Sequence, residues 1–191
     1  MKLPERSFVF LRHGETAFNK EGRLQGHSNV PLNETGMSQA RAAAALLADH
    51  AFSRIVASPA IRVQQTLAPL RDQVDVPVHV DEELMEFFVG SFEGRTIASI
   101  REEFAVDGWE GWLSIMPDDA DKWDEFQLRV CSAVARWTDR HPDETLLFVS
   151  HGLVFRALCM GLTGEHRISQ NAEPHMFRAV TGGWEIEALQ V

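Results

Sequence analysis

The strongest constraint on how this chain can fold is a set of short apolar runs, each too brief for a helix and each ending abruptly in polar residues. Residues Ser7–Leu11 (SFVFL), 53–58 (SRIVAS), 76–80 (VPVHV) and 145–150 (TLLFVS) are of this kind. The first and the last show no apolar–polar alternation, so they read as strands covered on both faces, the pattern of a parallel sheet. Segments of helical spacing lie between the runs. Asn33 suits the N-cap of a helix through ETGMSQARAAAALLADH, in which Met37, Ala40, Ala44 and Leu47 recur on one face. PAIRVQQTLAPL reads as a helix with Pro59 in its first turn. Trp123, Phe126, Val130, Val134 and Trp137 mark one face of a longer helix, and HGLVFRALCMGL gives another. HMFRAV and GWEIEAL form a closing strand pair around Gly182 and Gly183. Strands alternating with helices predict an α/β fold, a three-layer α/β/α sandwich on a mostly parallel central sheet. With 191 residues the chain suits one domain, 1–191, and its irregular stretch 87–125, rich in acids and glycine and holding three tryptophans, is expected to be a cap or lid.

Composition narrows the partners. A formal net charge of -10 argues against non-specific binding to nucleic acid or to an anionic membrane, while leaving room for a basic pocket inside an acidic surface. Cys131 and Cys159 sit in apolar helical patterns without CxxC spacing, which reads as two buried, reduced thiols. The N-terminal MKLPERSFVF lacks a signal peptide's apolar centre, and no run approaches the roughly 18 apolar residues of a membrane span, so a cytoplasmic protein is expected.

In a parallel sheet, ligands bind beyond the carboxyl ends of the strands. Arg12 and His13 follow the first run, Ser58 and the helix bearing Arg62 follow the second, and Ser150, His151 and Gly152 follow TLLFV. Two arginines and two histidines from three strand ends are thus expected in one pocket, with Glu86 entering from the side after the third strand. That set suits a phosphate. Guanidinium forks donate in pairs to its oxygens, a neutral imidazole can attack phosphorus, and a carboxylic acid can protonate the departing alcohol. A nucleophilic histidine must be neutral and of fixed tautomer, so one ring nitrogen should donate to a backbone carbonyl near Gly14 while the two arginines disfavour protonation.

LRHGET, SPAIRVQQT, the glutamate of ELMEFFVGSFEG and VSHG, in this order, resemble the histidine phosphatase superfamily, also called the phosphoglycerate mutase-like family. The likeness runs from Phe8 to about Arg156, and NAEPHMFRAV is also similar to bacterial members. The resemblance implies a phosphomonoester hydrolase that acts on a small phosphorylated metabolite through phosphohistidine, with no metal and no cofactor. His13 would be the nucleophile, Arg12, Arg62 and His151 would hold the phosphoryl group, and Glu86 would be acid and base. Asn19 and Gln25 match positions that contact phosphate in relatives, with Gly26 and Gly152 beside them as further phosphate-binding positions.

Ordinary roles compete for several of these residues. Glu82, Glu83 and Glu93 lie close to Glu86, His151 could merely cap the following helix, and Trp109, Trp112, Phe87 and Phe88 could pack a cap or line its substrate side. His27 and His175 could reach the rim of the pocket. Two rival functions stand beside the hydrolase: a phosphoglycerate mutase, and a non-catalytic phosphate-binding module. Mutases resembling this family carry Arg, His and Tyr after the acid glutamate, whereas Glu86 is followed by FFVG, and up to Glu125 the only basic residues are Arg95, Arg101 and Lys122. Oligomeric state is left open by these patterns.

Overall fold

In the computed structural model, which describes residues 1–189, the four apolar runs become four neighbouring strands of one six-stranded sheet. The strands are β1 (Phe8–Arg12), β2 (Arg54–Ala57), β3 (Val78–Val80), β4 (Leu146–Ser150), β5 (Pro174–Val180) and β6 (Gly183–Ala188), ordered β3-β2-β4-β1-β5-β6. The first four strands run parallel to one another, and the closing hairpin of β5 and β6 joins β1 antiparallel. β1 and β4, the two unalternating runs, lie side by side in the centre with Phe10 opposite Phe148 and Arg12 opposite Ser150. Helices α1 (Ala17–Lys20), α2 (Glu34–Ala48), α3 (Ile61–Arg71), α4 (Ile97–Phe104), α5 (Gly108–Ser114), α6 (Trp123–Arg140) and α7 (Gly152–Thr163) complete the described fold.

The two-residue period of the strands sorts the interior into two unlike cores. Phe8, Phe10, Phe148 and Phe177 project to one face, where α6 and α7 cover them with Phe126, Val130, Val134, Phe155 and Leu158. Phe8 stacks on Phe177 with ring centroids 4.6 Å apart and meets Phe148 edge-on at 5.5 Å. Val9, Leu11, Ile55, Leu147 and Val149 project to the other face, against Ala43, Ala44 and Leu47 of α2 and Val63, Leu67 and Leu70 of α3. The sandwich expected from sequence is therefore present. Cys131 and Cys159 are both buried and unpaired, and burial pushes each thiol up to about 12, which makes them packing residues.

Two boundaries differ from the sequence reading. Helix α3 begins at Ile61 with Ala60 as its N-cap, so Pro59 precedes the helix. Pro59 instead lies in the short connection between β2 and α3. The irregular stretch is also shorter than expected at its end, because Trp123, Asp124 and Glu125 already form the first turn of α6. Before that come a 3-10 turn at Gly90–Phe92, α4 and α5. Its Phe87, Val89, Phe92 and Ile100 continue the phenylalanine-rich core, and its acids serve the backbone. Asp121 accepts from the Phe88 N–H at 3.0 Å and Asp119 from the Ser91 N–H at 3.1 Å.

Asn33 caps α2 as expected, accepting from the Gly36 N–H at 2.8 Å. This first turn presses directly on the loop after β1. A Cβ on Gly14 would lie 2.6 Å from the Gly36 carbonyl oxygen, and one on Gly36 would land on the Glu15 carbonyl. Backbone meets backbone there, with no flexible side chain to yield. Gly36→Ala should therefore cost about 1–3 kcal/mol in urea unfolding, as overpacking does, while Gly183→Ala, with nothing near its Cβ, should change stability by less than about 0.5 kcal/mol.

Candidate active site

Parallel strands bring their carboxyl ends to one edge of the sheet, and the functional side chains follow from that. The His13 N–H donates to the Ser150 carbonyl at 2.9 Å and the Ser58 N–H to the Val149 carbonyl at 3.0 Å, so the chain leaving each strand stays in register with its neighbour. His13 and His151 consequently stand with ring centroids 5.4 Å apart, inclined at 67°. Both are buried.

The His13 ring is fixed from behind. Its Nδ1 lies 2.7 Å from the Gly14 carbonyl oxygen, an acceptor only, so Nδ1 carries the hydrogen and Nε2 keeps its lone pair. Thr66 supports the same turn, accepting from the Gly14 N–H at 2.9 Å and donating to the Arg62 carbonyl at 2.7 Å. Burial first, then the charges of Arg62 and Arg12, holds the His13 pKa well below the usual imidazole value, against the raising effect of the Gly14 bond. His151 is lowered for the same leading reasons, burial and then Arg62, and its Nε2 meets the Ser58 hydroxyl at 2.8 Å.

The arginines are held by neutral oxygens. Arg62, 1% exposed, donates to the Ser28 carbonyl at 2.8 Å and the Gly26 carbonyl at 2.9 Å. Arg12 donates to the Ser169 carbonyl at 2.6 Å and lies flat against Gly152, where a Cβ would come within 3.3 Å of its guanidinium. Arg12 Nε, Arg62 Nε and His151 Nδ1 are buried without any partner. Unpaired polar atoms of this kind are costly and uncommon, and the two guanidinium N–H groups among them mark a place prepared for an acceptor.

Glu86 enters from the side. Its Oε1 accepts from the Phe87 N–H at 3.0 Å and its Oε2 from the Leu153 N–H at 3.3 Å, which puts the carboxylate at the positive end of α7. Asn19 closes a capping box with Thr16 at the start of α1, its Oδ1 accepting from the Thr16 N–H at 3.2 Å, and the Gln25 Oε1 accepts from the Thr16 hydroxyl at 3.0 Å. With both amide oxygens engaged, the amide nitrogens remain for a ligand. Arg12, His13, Asn19, Gln25, Gly26, Arg62, Glu86 and Gly152 all line one cavity of about 280 Å³, with His151 directly beside His13.

Other expectations are redistributed. His27 lies outside this lining, its Nε2 2.9 Å from the Glu86 carbonyl oxygen and its ring 5.0 Å from Phe88. His175 is packed under Phe155 at 4.6 Å beside Glu173, also away from the cavity. Phe87 lines the cavity and Phe88 does not, while Trp109 and Trp112 line an adjoining chamber of about 420 Å³. Sequence reasoning passed over Glu93, whose carboxylate accepts from the His27 and Ser28 N–H groups and from the Ser28 hydroxyl, bracing the loop that holds Arg62. It also passed over Thr66, Ser169 and Asn171, the last donating to the His13 carbonyl at 3.0 Å. Only the likeness of the NAEP segment to bacterial proteins pointed toward Asn171. Among the described residues, no group of three or more His, Cys, Asp or Glu is placed to hold a metal ion, and no helix is long and apolar enough to cross a membrane.

Because the folded protein keeps both imidazoles neutral, the unfolded chain binds more protons once the pH drops below about 6.5. Stability should therefore fall as the pH is lowered from 6.5, by on the order of 1 kcal/mol per histidine at pH 5.5. Urea unfolding between pH 7.5 and 5.5 should show this loss in the native sequence and a smaller one in His13→Asn/His151→Gln. Equal acid sensitivity in the two proteins would contradict the burial argument.

Comparison with known proteins gives the family and supports the fold. The family described as "Histidine phosphatase superfamily (branch 1)" matches residues 8–189. Adenosylcobalamin/alpha-ribazole phosphatase of Salmonella typhimurium is 32% identical over 144 residues, covering 74% of this chain and 71% of the relative. The Enterobacter sp. protein named "Probable phosphoglycerate mutase GpmB" is 31% identical over 159 residues, covering 81% and 73%. Among solved structures, Bacillus stearothermophilus YhfR superposes with a TM-score of 0.84 at 26% identity, covering 96% of each chain. Mycobacterial glucosyl-3-phosphoglycerate phosphatase in complex with VO3 does so at 0.80 and 27%, covering 96% of this chain and 98% of the other. With the sheet, the strand-end arginines and histidines and the family match all in agreement, the chain belongs to the histidine phosphatase superfamily, branch 1.

Proposed function

We propose that the protein is a phosphomonoester hydrolase that acts on a small phosphorylated metabolite through a phosphohistidine on His13, in a cytoplasmic setting, without metal or cofactor. One observation carries this reading: an imidazole with a free Nε2 lone pair stands beside two buried guanidinium donors, Arg12 Nε and Arg62 Nε, that have no partner among the described residues. Those donors suit the oxygens of a phosphoryl group, whose transfer is governed mainly by positioning and electrostatics. The mycobacterial phosphatase was solved in complex with VO3, an oxyanion, which supports this reading.

In this mechanism Arg12, Arg62 and His151 bind the phosphoryl oxygens, with Asn19, Gln25 and the backbone at Gly26 and Gly152 around them. Nε2 of His13 attacks phosphorus as the bond to the ester oxygen breaks, and Glu86 gives its proton to the departing alcohol. The alcohol leaves. Water then attacks the phosphorus, Glu86 takes the proton, the P–N bond breaks, and inorganic phosphate is released with His13 restored to its starting state. The chain would work as one domain in which residues 87–125 form the cap over the leaving group. A module that merely binds phosphate would need the arginines but neither the oriented His13 nor Glu86.

The mutase reading is less well supported by the cap. Arg95 is occupied by Glu103, Lys122 is exposed at the N-cap of α6, and Arg101 lies 6.0 Å from the Trp112 ring centroid in the adjoining chamber. Beyond the phosphate site a second phosphate would meet a largely apolar wall, in which Arg101 and Arg156 are the cations of the adjoining chamber. Incubation with 3-phosphoglycerate, with and without 2,3-bisphosphoglycerate, should give free phosphate rather than rapid formation of 2-phosphoglycerate. Isomerisation with negligible phosphate release would reverse the assignment.

His13→Ala should remain folded yet lose activity by at least about a thousandfold. Quenched native enzyme should carry label from a labelled phosphomonoester that survives base and is lost in acid. Turnover of the native protein should persist after exhaustive chelation. Near-normal turnover by His13→Ala would rule out the phosphohistidine route.

A further inference from the structure

The phosphate pocket does not end at its own walls. Phe87, Leu153, Arg156 and Ile168 line both it and the larger adjoining chamber, so the two form one continuous space. The chamber is walled by Trp109, Trp112 and Met116, among others. A volume of about 420 Å³ next to the catalytic cavity falls in the usual range of small-molecule sites and is larger than a three-carbon alcohol requires. At the shared mouth Ile168 is 70% exposed, an apolar side chain left in water where a ligand would enter.

Arg156 stands at the seam. Its guanidinium lies 4.5 Å from the Trp109 ring centroid, and among the described residues it makes no salt bridge or hydrogen bond. It projects from α7, the helix whose first turn touches Glu86 and Arg12, and is thereby fixed relative to the phosphate end. A cation stacked on an indole, with donors unclaimed and an apolar chamber behind it, is an acceptor-reading group on the leaving-group side.

We infer that the substrate's alcohol carries a bulky, flat apolar group that fills the tryptophan-lined chamber, together with an oxygen acceptor, in its simplest form a carboxylate, that Arg156 reads. This deepens the phosphatase reading and rests on it. Small polar sugar or glycerol phosphates would leave the chamber wet and Arg156 unused.

The test uses three esters of matched leaving-group chemistry: ethyl phosphate, 2-(2-naphthyl)ethyl phosphate and 2-(6-carboxy-2-naphthyl)ethyl phosphate. With the native protein, kcat/KM should rise at least about tenfold from the first to the second, mainly through KM, and several-fold again to the third. Arg156→Met should abolish the advantage of the third ester over the second, and Trp112→Ala should shrink that of the second over the first. Equal kcat/KM for all three esters, or an Arg156→Met that lowers all three alike, would overturn the inference while leaving the phosphatase reading intact. Should none of the three be hydrolysed, it is the phosphatase reading that fails. The chamber is then judged by tryptophan fluorescence alone, where quenching by the naphthyl esters but not by ethyl phosphate upholds it and absence of quenching refutes it.

Discussion

The molecule is organised around two guanidinium charges kept dry without carboxylate partners in contact. Arg62 is almost fully buried and Arg12 partly so, yet the oxygens they bind are backbone carbonyls of Gly26, Ser28 and Ser169. Carbonyls satisfy some of the donors but do not neutralise the charge, and an uncompensated buried charge is expensive. That expense is offset elsewhere, by two cores packed on either side of the sheet, and it explains the neighbours. Beside such charges an imidazole stays neutral, and an anion gains more than it would in water. Glu86 lies within Coulombic reach of Arg12, Arg62 and Arg156 but forms no salt bridge with any of them.

Much of this was legible in the sequence because it depends on short-range pattern. SFVFL and TLLFVS announce doubly covered strands, and a doubly covered parallel strand has only one place for polar residues, its carboxyl end. Arg12, His13 and His151 follow directly from that rule, and the Gly14 carbonyl follows from what a nucleophilic imidazole requires. The errors were also local. Pro59 fits a first helical turn as well as it fits the turn before one, and Asp124 and Glu125 suit an irregular acidic stretch as well as the first turn of α6, whose start at Trp123 the apolar face had marked.

What the sequence hid are the groups that act across long separations. Ser169 reaches Arg12 across 157 residues and Asn171 reaches His13 across 158, both from a loop without periodicity. Glu93 looked like one acid in an acidic stretch, yet it holds the loop that holds Arg62. Arg156 looked like the polar face of an apolar helix. In each case the side chain has an ordinary local appearance, and only the fold reveals what stands opposite. The acids of the 87–125 stretch teach the same lesson, since several bind backbone N–H groups and so shape the cap rather than simply charging its surface.

The sheet order has a consequence for how the protein comes into being. β1 is made first, but its two neighbours are β4 and β5, and the loop that binds Arg12 and His13 precedes β5 near the end of the chain. During synthesis the nascent FVFLR segment must wait, unpaired, until β4 has emerged. Such late closure of distant contacts slows folding and leaves an apolar strand exposed in the meantime. It also means that Arg12 and His13 wait for their supports, Ser150, Ser169 and Asn171, which follow them from the ribosome only after β2, β3 and the 87–125 stretch, so this edge of the sheet is assembled late and all at once.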